Sequence, residues 1–167
     1  LDTEGTSDPG NEGIPSFEVD PSWPLDMPND WIMGSVTAVF VDATDHIWVT
    51  HLPETLTPEE TSAVQAPPIG MCCVPAPVVI EFDGNGEVVQ AWGDPATQDV
   101  SEFPRNAHGL FVDHNDFVYI SGNGTNFTGQ FPWAATYGDD SHILKFTAEG
   151  EFVYQIGYAG MDGPDSE

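Results

Sequence analysis

In 167 residues this chain carries 28 Asp and Glu against two basic residues, Arg105 and Lys145, for a formal net charge of −26. That field repels phosphate backbones and anionic headgroups, so it argues against nucleic-acid and membrane-surface binding; it attracts cations, or simply solvates a surface suited to high salt. A composition of 40% hydrophobic and 11% aromatic residues, with 17 Gly and 15 Pro, predicts one β-rich domain without a membrane span of roughly 20 apolar residues.

The chain opens on the polar LDTEGTSDPGNEG, with Leu1 first and no visible signal peptide, and reads as a processed chain or a fragment. Residues 1–34 form a partly irregular extension. Its aromatics Phe17, Trp23 and Trp31 are expected to add a strand or pack across a sheet edge.

Next comes SVTAVFVDATDHIWVTH, Ser35 to His51, which reads strand, Asp-containing turn, strand. A long loop from Leu52 to Pro75 follows, with PETLTPEETSAV as a short helical turn and the adjacent pair Cys72-Cys73 near its end. VVIEFDGNGEVVQAWG, Val78 to Gly93, is a second hairpin around a Gly-containing turn.

After a linker over 94–106 both hairpins recur. NAHGLFVDHNDFVYISG, Asn106 to Gly122, places Phe111, Val112, Asp113, Asp116, Tyr119 and Ser121 where the first copy has Phe40, Val41, Asp42, Asp45, Trp48 and Thr50. HILKFTAEGEFVYQIG, His142 to Gly157, places Phe146, Gly150 and Ile156-Gly157 on Phe82, Gly86 and Trp92-Gly93. Residues 158–167 are a tail.

The duplication predicts an all-β fold of two four-stranded antiparallel propeller blades, residues 35–93 and 107–157. The offset between copies exceeds the ~40–50 residues of common blades, and the excess sits in loops. Two blades are not a closed ring, so each has an apolar face that further blades or subunits must cover. A plain eight-stranded sandwich is the alternative.

The order FEVDPSWPLDMPNDWIMGSVTAVFVDATDHIWVTH, CCVPAPVVIEFDGNGEVVQAWG, NAHGLFVDHNDFVYISGNG and ILKFTAEGEFVYQIG resembles NHL-repeat six-bladed β-propellers. More narrowly, it is similar to bacterial relatives of peptidyl-α-hydroxyglycine α-amidating lyase, over about Phe17 to Gly157 and covering the N-terminal blades only. The resemblance implies a zinc ligand at His108 and calcium held by the backbone carbonyls of Val39 and Leu110, chemistry that suits imidazole and hard oxygens respectively. It departs where the family has an arginine and this chain has Leu52.

The family's other zinc histidines and its catalytic tyrosine would lie on blades absent here. One histidine does not make a catalytic zinc site, which takes three protein ligands. The expectation is therefore a secreted, extracellular or periplasmic module with a structural or binding role, self-associating or completed by missing C-terminal blades, without catalysis of its own. Calcium is its expected cofactor, with zinc only in a completed ring. The alternative is a fragment of a metal-dependent amidating lyase-like enzyme.

His108 is the residue the repeat leaves unexplained, since Thr37 matches it in the first copy; it is expected either as a channel-facing ligand or as a histidine satisfied by hydrogen bonds in a blade core. His51 ends a strand and is the second candidate to face the same channel. His46, His114 and His142, at turns or strand starts, are expected at the surface. Cys72 and Cys73 admit a vicinal disulfide, two free thiols, or a bond to another chain. Asn123 and Asn126 open back-to-back glycosylation sequons, which predict a glycan on an exposed loop. DGNGE lacks the ligand spacing of a calcium loop and is expected to be a hairpin turn.

Overall fold

A computed structural model describes residues 15–93, 103–104, 106–124 and 140–158. The fold is mostly β. Strands β1 (Trp31–Ile32) and β4 (Val74–Pro75) form a small parallel pair. The first four-stranded sheet contains β2 (Ser35–Val41), β3 (Ile47–Leu52), β5 (Val79–Phe82) and β6 (Val88–Trp92), in that spatial order. The second contains β7 (Ala107–Val112), β8 (Val118–Gly122), β9 (His142–Phe146) and β10 (Phe152–Gly157). Every pairing within these two sheets is antiparallel.

The repeat is reproduced in register. Phe40 faces Trp48 and Trp48 faces Glu81 in the first sheet; Phe111 faces Tyr119 and Tyr119 faces Lys145 in the second. Even the irregularities coincide, because β2 breaks register at Thr37 and β7 breaks it at His108. A bulge at equivalent positions re-aims one side chain per copy.

The four hairpin turns share one chemistry. The carboxylates of Asp42, Asp83 and Asp113 accept from amides two and four residues on, and the Thr147 hydroxyl accepts from the Glu151 amide. Each turn then needs a left-handed residue, filled by Asp45 and Asp116 (φ 62° and 61°) or by Gly86 and Gly150 (φ 89° and 85°). Asp tolerates that conformation and Gly adopts it freely.

At Gly150 a Cβ would also meet the Trp92 ring at 2.5 Å. Gly150→Ala is therefore expected to destabilise the fold by about 2 kcal/mol in urea unfolding, from left-handed strain plus the clash. Gly84→Ala, where a Cβ would meet only the Asp45 carbonyl at an ordinary 3.9 Å and φ is not positive, is the control and should stay within about 0.5 kcal/mol of the parent. Equal effects at the two positions would contradict this reading of the turns.

Alternation splits the first sheet into two faces. One face presents Trp48, Val79 and Trp92 to the second sheet, where they meet Val112, Val118, Ile120, Leu144 and Phe146 in the main core. Trp92 also donates its Nε1–H to the Ala148 carbonyl, 2.9 Å away. The other face carries Val49, Ile80 and Phe82, covered by Trp23, Met27, Trp31 and Met33 of the N-terminal segment. The Trp23 and Phe82 ring centroids lie 5.4 Å apart. The expected role of that segment was an added strand or an edge contact; here it contributes the short β1 and covers the β3 and β5 part of this face, while Val39 and Val41 of β2 stay more than half exposed.

The two copies do not pack through equivalent faces. The face of the first sheet that is buried against the second corresponds, residue by residue, to the outer face of the second: Phe40 to Phe111, Trp48 to Tyr119, Val79 to Ile143 and Trp92 to Ile156. That outer face is uncovered among the described residues, with Phe111 50% and Ile156 53% exposed.

Candidate functional site

The edge strands β2 and β7 of the two sheets lie side by side. Thr37 on the first bulge donates its hydroxyl to the Ala107 carbonyl at 2.7 Å, and the Phe40 and Phe111 rings meet edge to face at 5.2 Å. Val39 and Leu110, the two residues expected to offer carbonyls to calcium, occupy equivalent positions on these strands, opposite Val49 and Ile120. His108 sits on the second bulge with its side chain exposed. Among the described residues it belongs to no group of three or more His, Cys, Asp or Glu ligands within metal-binding reach.

His51, a candidate for the same channel as His108, is instead a core histidine. It is fully buried, its Nδ1 accepts from the Gly34 amide at 3.1 Å, and its Nε2 lies 2.9 Å from the Pro77 carbonyl. Those partners assign the proton to Nε2 and keep the ring neutral. Burial pushes its pKa below the ordinary histidine value, outweighing the backbone carbonyls of Pro77 and Ala76. His114 is exposed, as expected at a turn, but His142 is buried at the start of β9.

The described His, Cys, Asp and Glu residues contain one close grouping of three, Asp42, His46 and Glu81, whose ligand atoms all lie within 4.8 Å of one another. Asp42 and His46 flank the β2–β3 turn, and Glu81 projects from β5. The His46 Nδ1 is 2.6 Å from Glu81 Oε1, and Glu81 Oε2 accepts from Gln90 Nε2 at 2.6 Å. Asp42 Oδ1 accepts from the Thr44 amide and hydroxyl and the His46 amide, while Oδ2 accepts from Trp48 Nε1 at 2.9 Å.

Burial raises the Asp42 pKa, but the donors from Trp48, Thr44 and the His46 amide more than offset it and leave it lowered. The His46 pKa is raised, first by its bond to Glu81 and then by the charges of Glu81, Asp42 and Asp83. Glu81 is itself buried. The expectation of an ordinary surface histidine misses this grouping, because Glu81 lies on a strand reached only after the long loop.

The uncovered face of the second sheet holds a shallow groove of about 360 Å³ lined by Phe111, Tyr119, Ser121, Ile143 and Ile156. Lys145 crosses the same face. Its Nζ lies 3.6 Å from Asp113 Oδ2, 3.7 Å from the Phe117 ring centroid and 4.9 Å from that of Tyr119. This cation is held by one carboxylate and the π-faces around it.

Cys72 and Cys73 are joined by a disulfide at the end of the long loop, where the Ser62 hydroxyl donates to the Cys72 carbonyl. Asp83 spends its carboxylate on its own turn, as the DGNGE reading expects. Asn123 is exposed after β8, whereas Asn126 lies outside the described residues. No helix among the described residues is long and apolar enough to cross a membrane. No family model and no curated protein matches the chain.

Proposed function

We propose that this chain is a secreted, NHL-like β-propeller module with a structural or binding role, completed by further four-stranded sheets and not catalytic on its own. The observation that carries the reading is the uncovered face of the second sheet. It repeats the residues that the first sheet buries, so its natural cover is another sheet packed as the second packs on the first. Packing through non-equivalent faces favours successive blades over a sandwich, whose two sheets would share equivalent inner faces.

The N-terminal lid adds a directional constraint. With Trp23, Met27, Trp31 and Met33 over the β3 and β5 part of the other face, a second copy offers its own outer face as the open surface. Self-association then pairs two open faces in a closed dimer, and a continuous filament would require the lid to lift. Calcium at the carbonyls of Val39 and Leu110 belongs to this reading, since both residues lie on the adjoining edge strands β2 and β7. The disulfide and acidic surface are consistent with export to an oxidising compartment.

The non-catalytic part is tested by incubating the full chain and zinc with a peptide ending in α-hydroxyglycine. The expected result is no amide formation above buffer. Turnover that disappears in His108→Ala would overturn the proposal in favour of the lyase-like enzyme.

A further inference from the structure

The two copies differ at one equivalent polar position, where a carboxylate replaces a cation. In the second copy, Asp113 Oδ2 takes two partners, the Tyr119 hydroxyl at 3.2 Å and the Lys145 ammonium at 3.6 Å. The ammonium also sits against the Phe117 ring. In the first copy the corresponding residues are Asp42, Trp48, Glu81 and His46.

Trp48 Nε1 takes over the Tyr119 bond, and Asp42 Oδ2 keeps a second lone pair. The cation is missing because Glu81 stands in place of Lys145. The ring that flanks it is now an imidazole, which can ligate. From this substitution pattern the geometry points to a divalent transition-metal site at Asp42, His46 and Glu81, with zinc as the representative ion. The inference rests on the internal repeat and is independent of the propeller reading.

Charge supports it. Asp113 and Lys145 sum to zero, and two carboxylates with a neutral imidazole and a dication also sum to zero. Donor type sets the class: one nitrogen and two carboxylate oxygens suit zinc or its neighbours better than calcium, which prefers all-oxygen shells.

Metal would replace the proton shared by His46 and Glu81. Ligands on a tetrahedral zinc stand roughly 3.3 Å apart, so the 2.6 Å contact must open by less than an ångström. Gln90 already steadies the far oxygen of Glu81, and the Asp42 carboxylate is fixed by its turn. His46 is 32% exposed, leaving a side from which the ion and a water can enter.

The test is calorimetric titration of the metal-free full chain with Zn²⁺ at near-physiological ionic strength, which screens diffuse binding to the acidic surface. The expected result is one saturable ion per chain, with a concurrent change in Trp fluorescence from Trp48. His46→Phe/Glu81→Lys, which copies the residues of the second repeat, should fold and lose that ion. His108→Ala should keep it. No saturable binding, or binding that survives His46→Phe/Glu81→Lys or is lost in His108→Ala, would overturn the assignment.

Discussion

Phe146→Ala is expected to destabilise the chain by about 3–5 kcal/mol, the usual range for truncating a buried aromatic. Phe146 is fully buried on β9, at the centre of the contact between the two sheets. Its ring lies 5.2 Å from Trp92, 5.5 Å from Phe103 and 6.0 Å from Phe152, centroid to centroid. Removing it opens a cavity that three large neighbours on different segments cannot collapse into together. Phe111→Ala, made in the Ile143→Lys/Ile156→Lys background that keeps the outer face open, removes a similar ring and should cost under about 1 kcal/mol, because half of it already faces water. Urea unfolding monitored by circular dichroism compares the two. Similar losses would mean that the second sheet buries its outer face as well.

His51→Leu should cost about 2–4 kcal/mol despite similar side-chain size. It strips partners from the Gly34 amide and the Pro77 carbonyl, and each orphaned buried group costs about 1–3 kcal/mol. The same residue gives the fold an acid-side weakness. Its folded pKa is depressed, so between that value and the ordinary histidine pKa the unfolded chain binds more protons. The His51 contribution is full above the ordinary histidine range and is lost as pH falls through it towards the folded value.

His46 works in the opposite sense. Its raised pKa makes the bond to Glu81 stabilising at low pH and weaker as pH rises through the folded value. Both chains contain His46, so subtracting the stability–pH curve of His51→Leu from that of the parent isolates His51. The difference should shrink as pH drops below about 6.5. A difference that does not vary with pH would contradict a neutral, buried His51.

The repeat was legible because its signals are local. Alternating apolar residues, Asp at the turn start and Gly or Asp at the left-handed position occur within a few residues of one another. Strand pairing followed from them, whereas the matching bulges at Thr37 and His108 appear only in the folded chain. The coverage of faces was not legible in that way. Trp23 and Trp31 announce an apolar segment, but only the folded chain shows them over Ile80 and Phe82.

His46 and His142 were misjudged for the same physical reason. His142 stands at a strand start like Val78, and that match was a usable sign of burial. His46 stands in a turn, and its partner Glu81 reaches it only through the register of β3 on β5. Aligning Glu81 with Lys145 would have exposed the charge reversal between the copies. The expected zinc residue, His108, is the one histidine on the edge strands β2 and β7, yet the close ligand grouping lies at the turn end of the first sheet.

The open outer face of the second sheet is the feature on which the proposed assembly stands. The most direct measurement is the solution mass of the full chain by light scattering after size exclusion. The predicted result is a folded species heavier than 18.1 kDa that falls to that mass in Ile143→Lys/Ile156→Lys. A stable, well-folded parent monomer of 18.1 kDa at all concentrations would contradict it.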